Sequence, residues 1–149
     1  MIEVGAEAPE FTLPDQDSNE VSLSSLRGGK VMLAFYPLDF SPVCSDQLSI
    51  YQEVLGEIAA AGGTLIGIST DSFYAHRAFA DKLGTEITLL SDFHPKGEVT
   101  KAYGAYIADR GHPNRSLVLI DENGTVAWVH ESPTQLEIPG ANLIFDALA

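Results

Sequence analysis

Cys44 is the only cysteine in this sequence of 149 residues, and its surroundings favour a reactive thiol. It follows the apolar run 31–35, which predicts a buried strand. It also lies just after Ser41-Pro42, a pair typical of a helix start because serine caps the helix and proline suits its first position. Free backbone N–H groups and the helix dipole favour negative charge in that first turn. Because the thiolate is the nucleophilic form of cysteine, Cys44 is a candidate nucleophile.

The alternative interpretation is that Cys44 is a small buried apolar residue, as many lone cysteines are. Apolar residues that share its helical face are spaced at i+4, i+7, i+11 and i+14; they are Leu48, Tyr51, Leu55 and Ile58. This spacing predicts one helix over about 42–61 whose inner face carries Cys44. We therefore expect the sulfur to point inward, to the floor of a pocket.

The rest of the chain alternates between strand and helix signals, without repeats or linkers. Two short apolar segments around a turn at 14–19 predict an N-terminal hairpin. The further predicted elements are strands 31–36, 64–70, 87–90, 116–121 and 125–130 and helices 72–83, 96–103 and 141–148. This order predicts one α/β domain over residues 1–149 with a thioredoxin-like fold, in which helices flank a central mixed sheet and the N-terminal hairpin is an extension.

Composition limits the partners of the chain. The 8 Lys and Arg residues against 21 Asp and Glu give a net charge of −13, which disfavours nucleic acid and anionic membranes as partners. We see no export signal and no apolar run of membrane-spanning length, so we expect a cytoplasmic protein. A single cysteine allows no intramolecular disulfide.

The histidines do not suggest a metal site. No Glu or Cys at metal-ligand spacing accompanies any of them, and we interpret all four as structural or surface residues; they are His76, His94, His112 and His130. Tyr36 is expected in the core, and lining the pocket is the alternative. We therefore predict no metal and no cofactor.

Several motifs, in the right order, make the chain resemble the peroxiredoxins over almost its whole length. The main one is Pro37-x-x-x-Ser41-x-x-Cys44, together with a distant arginine, Arg115. The flanking segments also match, and they are Gly5-x-x-Ala8-Pro9-x-Phe11-x-Leu13-x-Asp15, Leu90-Ser91-Asp92-Phe93-x-Pro95-Lys96-Gly97 and Ala102-Tyr103-Gly104. The alkyl hydroperoxide reductase E-like subgroup is the nearest guess, since the chain has no second cysteine and no long C-terminal extension.

The resemblance implies a catalytic role for four residues. The Cys44 thiolate would attack a peroxide oxygen, and Arg115 would donate to both the sulfur and the peroxide as charge moves between them. Ser41 and backbone N–H groups would hold the two oxygens in line with the sulfur. Pro37 would shield the thiolate from water. Arg115 could instead be a surface ion-pair partner, Ser41 only a helix cap and Pro37 only the end of a strand.

Two residues depart from the usual pattern of the family. Ser41 replaces the commoner threonine and lacks the methyl group that restrains the side-chain rotamer. Gln47 stands where the family often has glutamate. We expect both to loosen the site without removing a required group.

The leading hypothesis is a one-cysteine peroxiredoxin that reduces hydrogen peroxide or organic hydroperoxides. Since the chain has no second cysteine, an external thiol would recycle it, either a small molecule or a protein of the thioredoxin or glutaredoxin kind. The resemblance also implies a homodimer. A dithiol oxidoreductase is disfavoured because Ser41 replaces the first cysteine of Cys-x-x-Cys. A non-catalytic redox sensor or relay is the alternative from another class.

Overall fold

A computed structural model describes residues 1–149 and shows a central sheet flanked by helices. The strands are β1 (Thr12–Pro14), β2 (Glu20–Ser22), β3 (Lys30–Phe35), β4 (Gly63–Ser69), β5 (Thr88–Ser91), β6 (Tyr106–Ile107), β7 (His112–Pro113), β8 (Ser116–Ile120) and β9 (Val126–Glu131). The helices are α1 (Pro42–Glu53), α2 (Leu55–Ala60), α3 (Phe73–Leu83), α4 (Glu98–Ala102) and α5 (Ala141–Leu148). The predicted α/β class, mixed sheet and N-terminal hairpin are confirmed.

The central sheet has five strands in the order β5-β4-β3-β8-β9. Strands β3, β4 and β5 are parallel, whereas β8 runs antiparallel to β3 and β9 antiparallel to β8. Phe35 pairs with Ser116 across β3 and β8. The C-terminal end of β3 and the N-terminal end of β8 therefore lie side by side at the same end of the sheet's inner strands.

Successive side chains along a strand point to opposite faces of the sheet, and each face packs against its own core. Met32, Ala34 and Tyr36 face the core that includes residues of α1, α2, α3 and α5. Val31 and Leu33 face the other core, which includes residues of the N-terminal hairpin. Tyr36 is fully buried, as expected.

The prediction of one helix over 42–61 is wrong, because the chain forms two helices that meet at Val54. Val54 has a non-helical φ of −113° and ψ of 10°. The apolar stripe nonetheless continues across the break, since Tyr51 and Ile58 are buried and Leu55 is partly buried. Sequence reasoning also missed the short ribbon formed by β6 and β7.

None of the helices has both the length and the hydropathy that crossing a bilayer requires.

Candidate active site

The first turn of α1 is built as its sequence predicts. Ser41 is the N-cap, with an extended backbone at φ −65° and ψ 144°, and Pro42 is the first helical residue. The Ser41 hydroxyl accepts a hydrogen bond from the Cys44 backbone N–H at 3.2 Å. Cys44 therefore lies in the turn where unpaired N–H groups favour negative charge.

Cys44 faces the protein interior. The residue is 0% exposed and belongs to the core beside Leu48 and Tyr51. The inward orientation was predicted, but Cys44 lines none of the three cavities of the structure. A substrate can therefore reach the sulfur only when residues that cover it move.

Arg115 is the charged group that meets Cys44. It immediately precedes β8, and the pairing of Phe35 with Ser116 places it next to the loop that leads into α1. Its Nη2 donates to the Cys44 sulfur at 3.3 Å, and Arg115 is 2% exposed. The structure thus joins two residues that are 71 positions apart in the sequence.

The remaining donors of Arg115 are held by neutral oxygens. Its Nε donates to the Gln135 carbonyl at 2.8 Å, and its Nη1 donates to the Gln47 side-chain oxygen. No carboxylate forms an ion pair with Arg115. A buried guanidinium without an anionic partner is costly. The Cys44 sulfur is the one hydrogen-bond partner of Arg115 that can carry a negative charge.

Gln47 belongs to a hydrogen-bonded chain that continues away from the sulfur. Its side-chain amide donates to the Tyr51 hydroxyl at 3.2 Å, and Tyr51 donates to the Pro139 carbonyl at 2.6 Å. Burial raises the pKa of Tyr51 to about 12, so the hydroxyl remains a donor at neutral pH. Gln47 therefore links Arg115 to Tyr51, and the expectation that it loosens the site stays a prediction.

Sequence reasoning missed Gln135, and it gave Tyr51 only a core role. A signal for Tyr51 existed, since residues seven apart share a helix face and Tyr51 lies on the face of Cys44. No signal marked Gln135, which contributes only its backbone carbonyl.

Pro37 and Ser41 both lie in the loop between β3 and α1. Pro37 is buried and Ser41 is partly buried. Apart from the cap hydrogen bond of Ser41, the structure records no polar contact that links either residue to Cys44. Their roles toward a substrate therefore stay predictions.

A second buried polar cluster lies in the same loop region. His76 Nδ1 is 2.7 Å from Asp39 Oδ2, and the two side chains are 0% and 1% exposed. Potential ligand atoms of Asp39, Asp71 and His76 lie within 4.8 Å of one another. The predicted structural role suits His76, because both of its ring nitrogens already have protein partners.

The site thus presents a buried cysteine in the first turn of a helix, with an arginine donor on its sulfur. This arrangement suits nucleophilic attack by sulfur on an atom whose leaving group gains negative charge.

Comparison with known proteins gives consistent matches. The sequence profile described as the AhpC/TSA family matches residues 4–129. Alkyl hydroperoxide reductase E of Mycobacterium bovis is 36% identical over 150 residues, which cover 100% of this chain and 97% of the relative. A putative peroxiredoxin bcp of Coxiella burnetii is 37% identical over 134 residues, covering 86% and 87% of the two chains.

Solved structures agree with these matches. Peroxidoxin BcpB from Mycobacterium tuberculosis superimposes with a TM-score of 0.86 at 27% identity, covering 99% of this chain and 97% of that one. A reduced 2-Cys peroxiredoxin of Plasmodium vivax has a TM-score of 0.88 at 30% identity, covering 97% of this chain and 79% of that one.

Proposed function

The chain belongs to the AhpC/TSA family and is a thiol peroxidase of the peroxiredoxin kind, and we propose that Cys44 is its peroxidatic residue. The observation that carries this proposal is the contact of 3.3 Å between Arg115 Nη2 and the Cys44 sulfur. The alternative of a non-catalytic sensor is not favoured, because the named relatives are reductases and peroxiredoxins.

The first half-reaction is attack of the thiolate on one oxygen of the peroxide. A sulfur lone pair forms the S–O bond while the O–O bond breaks. Cys44 is oxidised to a sulfenic acid, and the peroxide is reduced to an alkoxide, or to hydroxide for hydrogen peroxide, which takes up a proton. Arg115 donates to the sulfur and can follow the charge onto the departing oxygen. Ser41 and the N–H groups of the first turn orient the peroxide, and Pro37 limits access of water.

The second half-reaction requires thiols from outside the chain. One external thiol condenses with the sulfenic acid, so that an S–S bond forms and water leaves. A second thiol then releases Cys44 and carries away the disulfide. The overall reaction converts ROOH and two thiols into ROH, water and one disulfide. The chain's lack of a second cysteine supports this scheme.

The substrates proposed are hydrogen peroxide and organic hydroperoxides. The name of the Mycobacterium bovis relative, an alkyl hydroperoxide reductase, supports the organic class. The reductant is a small thiol or a protein of the thioredoxin or glutaredoxin kind. Both fit a cytoplasmic location, where thiols are kept reduced.

The test of Cys44 is a stoichiometric reaction with hydrogen peroxide followed by intact mass spectrometry. After one equivalent of peroxide we expect the mass of one chain plus one oxygen. With further equivalents and no thiol present we expect two or three added oxygens, because each additional peroxide advances the sulfenic acid to sulfinic and then sulfonic acid. Cys44→Ser should consume no peroxide, since a serine hydroxyl stays protonated. Full turnover in that variant would reject Cys44 as the peroxidatic residue.

The same experiment addresses how well Cys44 is enclosed. Because its sulfur is buried, a disulfide between two copies of Cys44 should be a minor product. A dominant dimer linked in this way would show that the sulfur is far more accessible than the structure implies.

A homodimer is the assembly we propose. Large apolar side chains lie exposed near the loop between β3 and α1 and around the start of α3, and they include Phe40, Tyr74 and Phe93. Phe73, Tyr74 and Phe93 also line a common cavity of about 440 Å³. Sedimentation should give twice the chain mass, and Tyr74→Asp with Phe93→Asp should give monomers. A wild-type monomer at micromolar concentration would contradict the proposal.

We also propose that residues 1–149 fold as one domain. The five-stranded sheet takes strands from Lys30 through Glu131, and Ile144 and Leu148 of α5 pack in the same core as Met32. A single cooperative unfolding transition would support this, whereas two separate transitions would not.

A further inference from the structure

We infer that the buried His76–Asp39 pair is a positioning device that holds the loop between β3 and α1, and through it Cys44, in the geometry for attack on peroxide. The inference rests on the proposed role of Cys44. Neither residue touches the sulfur, so both act through the loop.

The pair joins two distant parts of the chain at one buried contact. Asp39 lies in the loop two residues before the N-cap Ser41, whereas His76 lies on α3. The distance from His76 Nδ1 to Asp39 Oδ2 is 2.7 Å, and neither side chain is more than 1% exposed. The side chain of Asp39 is thus fixed from outside its own loop.

Hydrogen bonding defines the protonation of the pair. His76 Nε2 lies 3.0 Å from the Leu90 carbonyl oxygen, which can only accept, so this nitrogen carries a hydrogen. The contact between His76 Nδ1 and Asp39 Oδ2 then requires one proton between them. Asp39 Oδ1 accepts from the Tyr36 hydroxyl at 2.6 Å. Every polar atom of the two side chains therefore has a partner.

The backbone of the loop is held as well. The Asp39 N–H donates to Asp71 Oδ2 at 2.9 Å, and the same oxygen accepts from the Ser69 hydroxyl at 2.5 Å. Tyr36 and Asp71 are the other titratable groups that contact the pair. Asp39 is consequently anchored through both its side chain and its main chain.

The next residue shows why such anchoring is needed. Phe40 has φ +67°, in the left-handed region that a bulky non-glycine residue adopts only when its surroundings impose it. Phe40 is 47% exposed, so burial of its ring does not account fully for this conformation. The backbone turn at Phe40 leads directly to Ser41, whose hydroxyl caps Cys44. Release of Asp39 would let this turn relax and would shift the cap and the sulfur.

Two variants of His76 separate positioning from general stability. His76→Asn can place its amide where Nδ1 was and donate to Asp39, whereas His76→Gln places its amide near Nε2 and loses that contact. We expect oxidation of Cys44 by hydrogen peroxide to slow at least tenfold in His76→Gln and to stay within threefold of wild type in His76→Asn.

The rate of alkylation of Cys44 by iodoacetamide distinguishes positioning from a purely structural role, because a purely structural role would leave the ratio of peroxide rate to alkylation rate unchanged. Alkylation needs no alignment by Arg115, so its rate in His76→Gln should be unchanged or higher as the loop opens. The ratio of peroxide rate to alkylation rate should therefore fall at least tenfold. Asp92→Asn is the matched control, because Asp92 is a buried carboxyl whose side chain bonds only Val99 and Thr100. The ratio of peroxide rate to alkylation rate in Asp92→Asn should match that of wild type.

The outcomes distinguish the two proposals. If wild-type Cys44 does not react with peroxide, the proposed function fails and this inference fails with it. If wild type reacts rapidly but His76→Gln keeps the wild-type ratio, only the inference is overturned. Equal ratios in His76→Gln and His76→Asn would also overturn it. If His76→Gln does not fold, Asp39→Ala, which removes both side-chain oxygens, is measured by the same ratio in its place, and a wild-type ratio there overturns the inference.

Discussion

Replacement of Arg115 by methionine should slow oxidation of Cys44 by peroxide roughly 30- to 1,000-fold. The variant keeps a long apolar side chain but removes the charge and all of the donors. These donors now reach the Cys44 sulfur at 3.3 Å, the Gln135 carbonyl at 2.8 Å and the Gln47 side chain.

The size of the rate loss expected for Arg115→Met follows from the contact of Arg115 with the Cys44 sulfur. Opposite unit charges 3.3 Å apart attract by about 5 kcal/mol at an effective dielectric constant of about 20. Desolvation of the buried guanidinium offsets part of this attraction. We therefore expect a net loss of about 2–4 kcal/mol, a range that includes the usual cost of removing one oriented donor at a reacting centre.

The assay is competition for hydrogen peroxide against a haem peroxidase of known rate, with circular dichroism to verify folding. Arg77→Met is the matched control, because Arg77 is 43% exposed and pairs only with Asp17 and Asp81. Arg115→Lys should recover little of the rate, since a single ammonium cannot reproduce the planar set of donors. A rate for Arg115→Met within threefold of wild type would refute the reasoning.

Three further predictions concern helix α1 and its N-cap. Ser41→Ala should lower the free energy of unfolding by about 1 kcal/mol in urea denaturation, because it removes the helix cap, whereas a loss as large in Ser41→Thr would contradict that role. Gln47→Leu should slow peroxide oxidation by about tenfold by freeing Arg115, and Gln47→Glu, which keeps an acceptor, should stay within threefold in the same competition assay. Burial raises the pKa of Tyr51 to about 12, so its contribution to stability is present below the ordinary tyrosine value and is lost as pH rises through about 12. The stability difference between wild type and Tyr51→Phe should therefore shrink between about pH 9 and about pH 12 in urea titrations, and a constant difference would contradict this.

Local signals predicted most elements because each of them is set by nearby residues. The cap of α1 needs only Ser41 and Pro42, and the apolar stripe of Cys44 follows from helical spacing. The same pattern could not reveal the break at Val54, because apolar spacing continues across it and the packing of α2 decides where the first helix ends.

The sequence by itself determined that Cys44 lies in the first turn of a helix and faces inward, and its motifs indicated Arg115 as the partner. Only the tertiary structure decided which atoms meet. Arg115 reaches the sulfur because β8 runs antiparallel to β3 in a register that aligns Ser116 with Phe35. The contact of Gln135 with Arg115 and that of His76 with Asp39 have the same origin, since each joins residues that are distant along the chain. Local propensity can determine a cap or a face, but contacts between distant segments depend on how the whole sheet and its helices pack together.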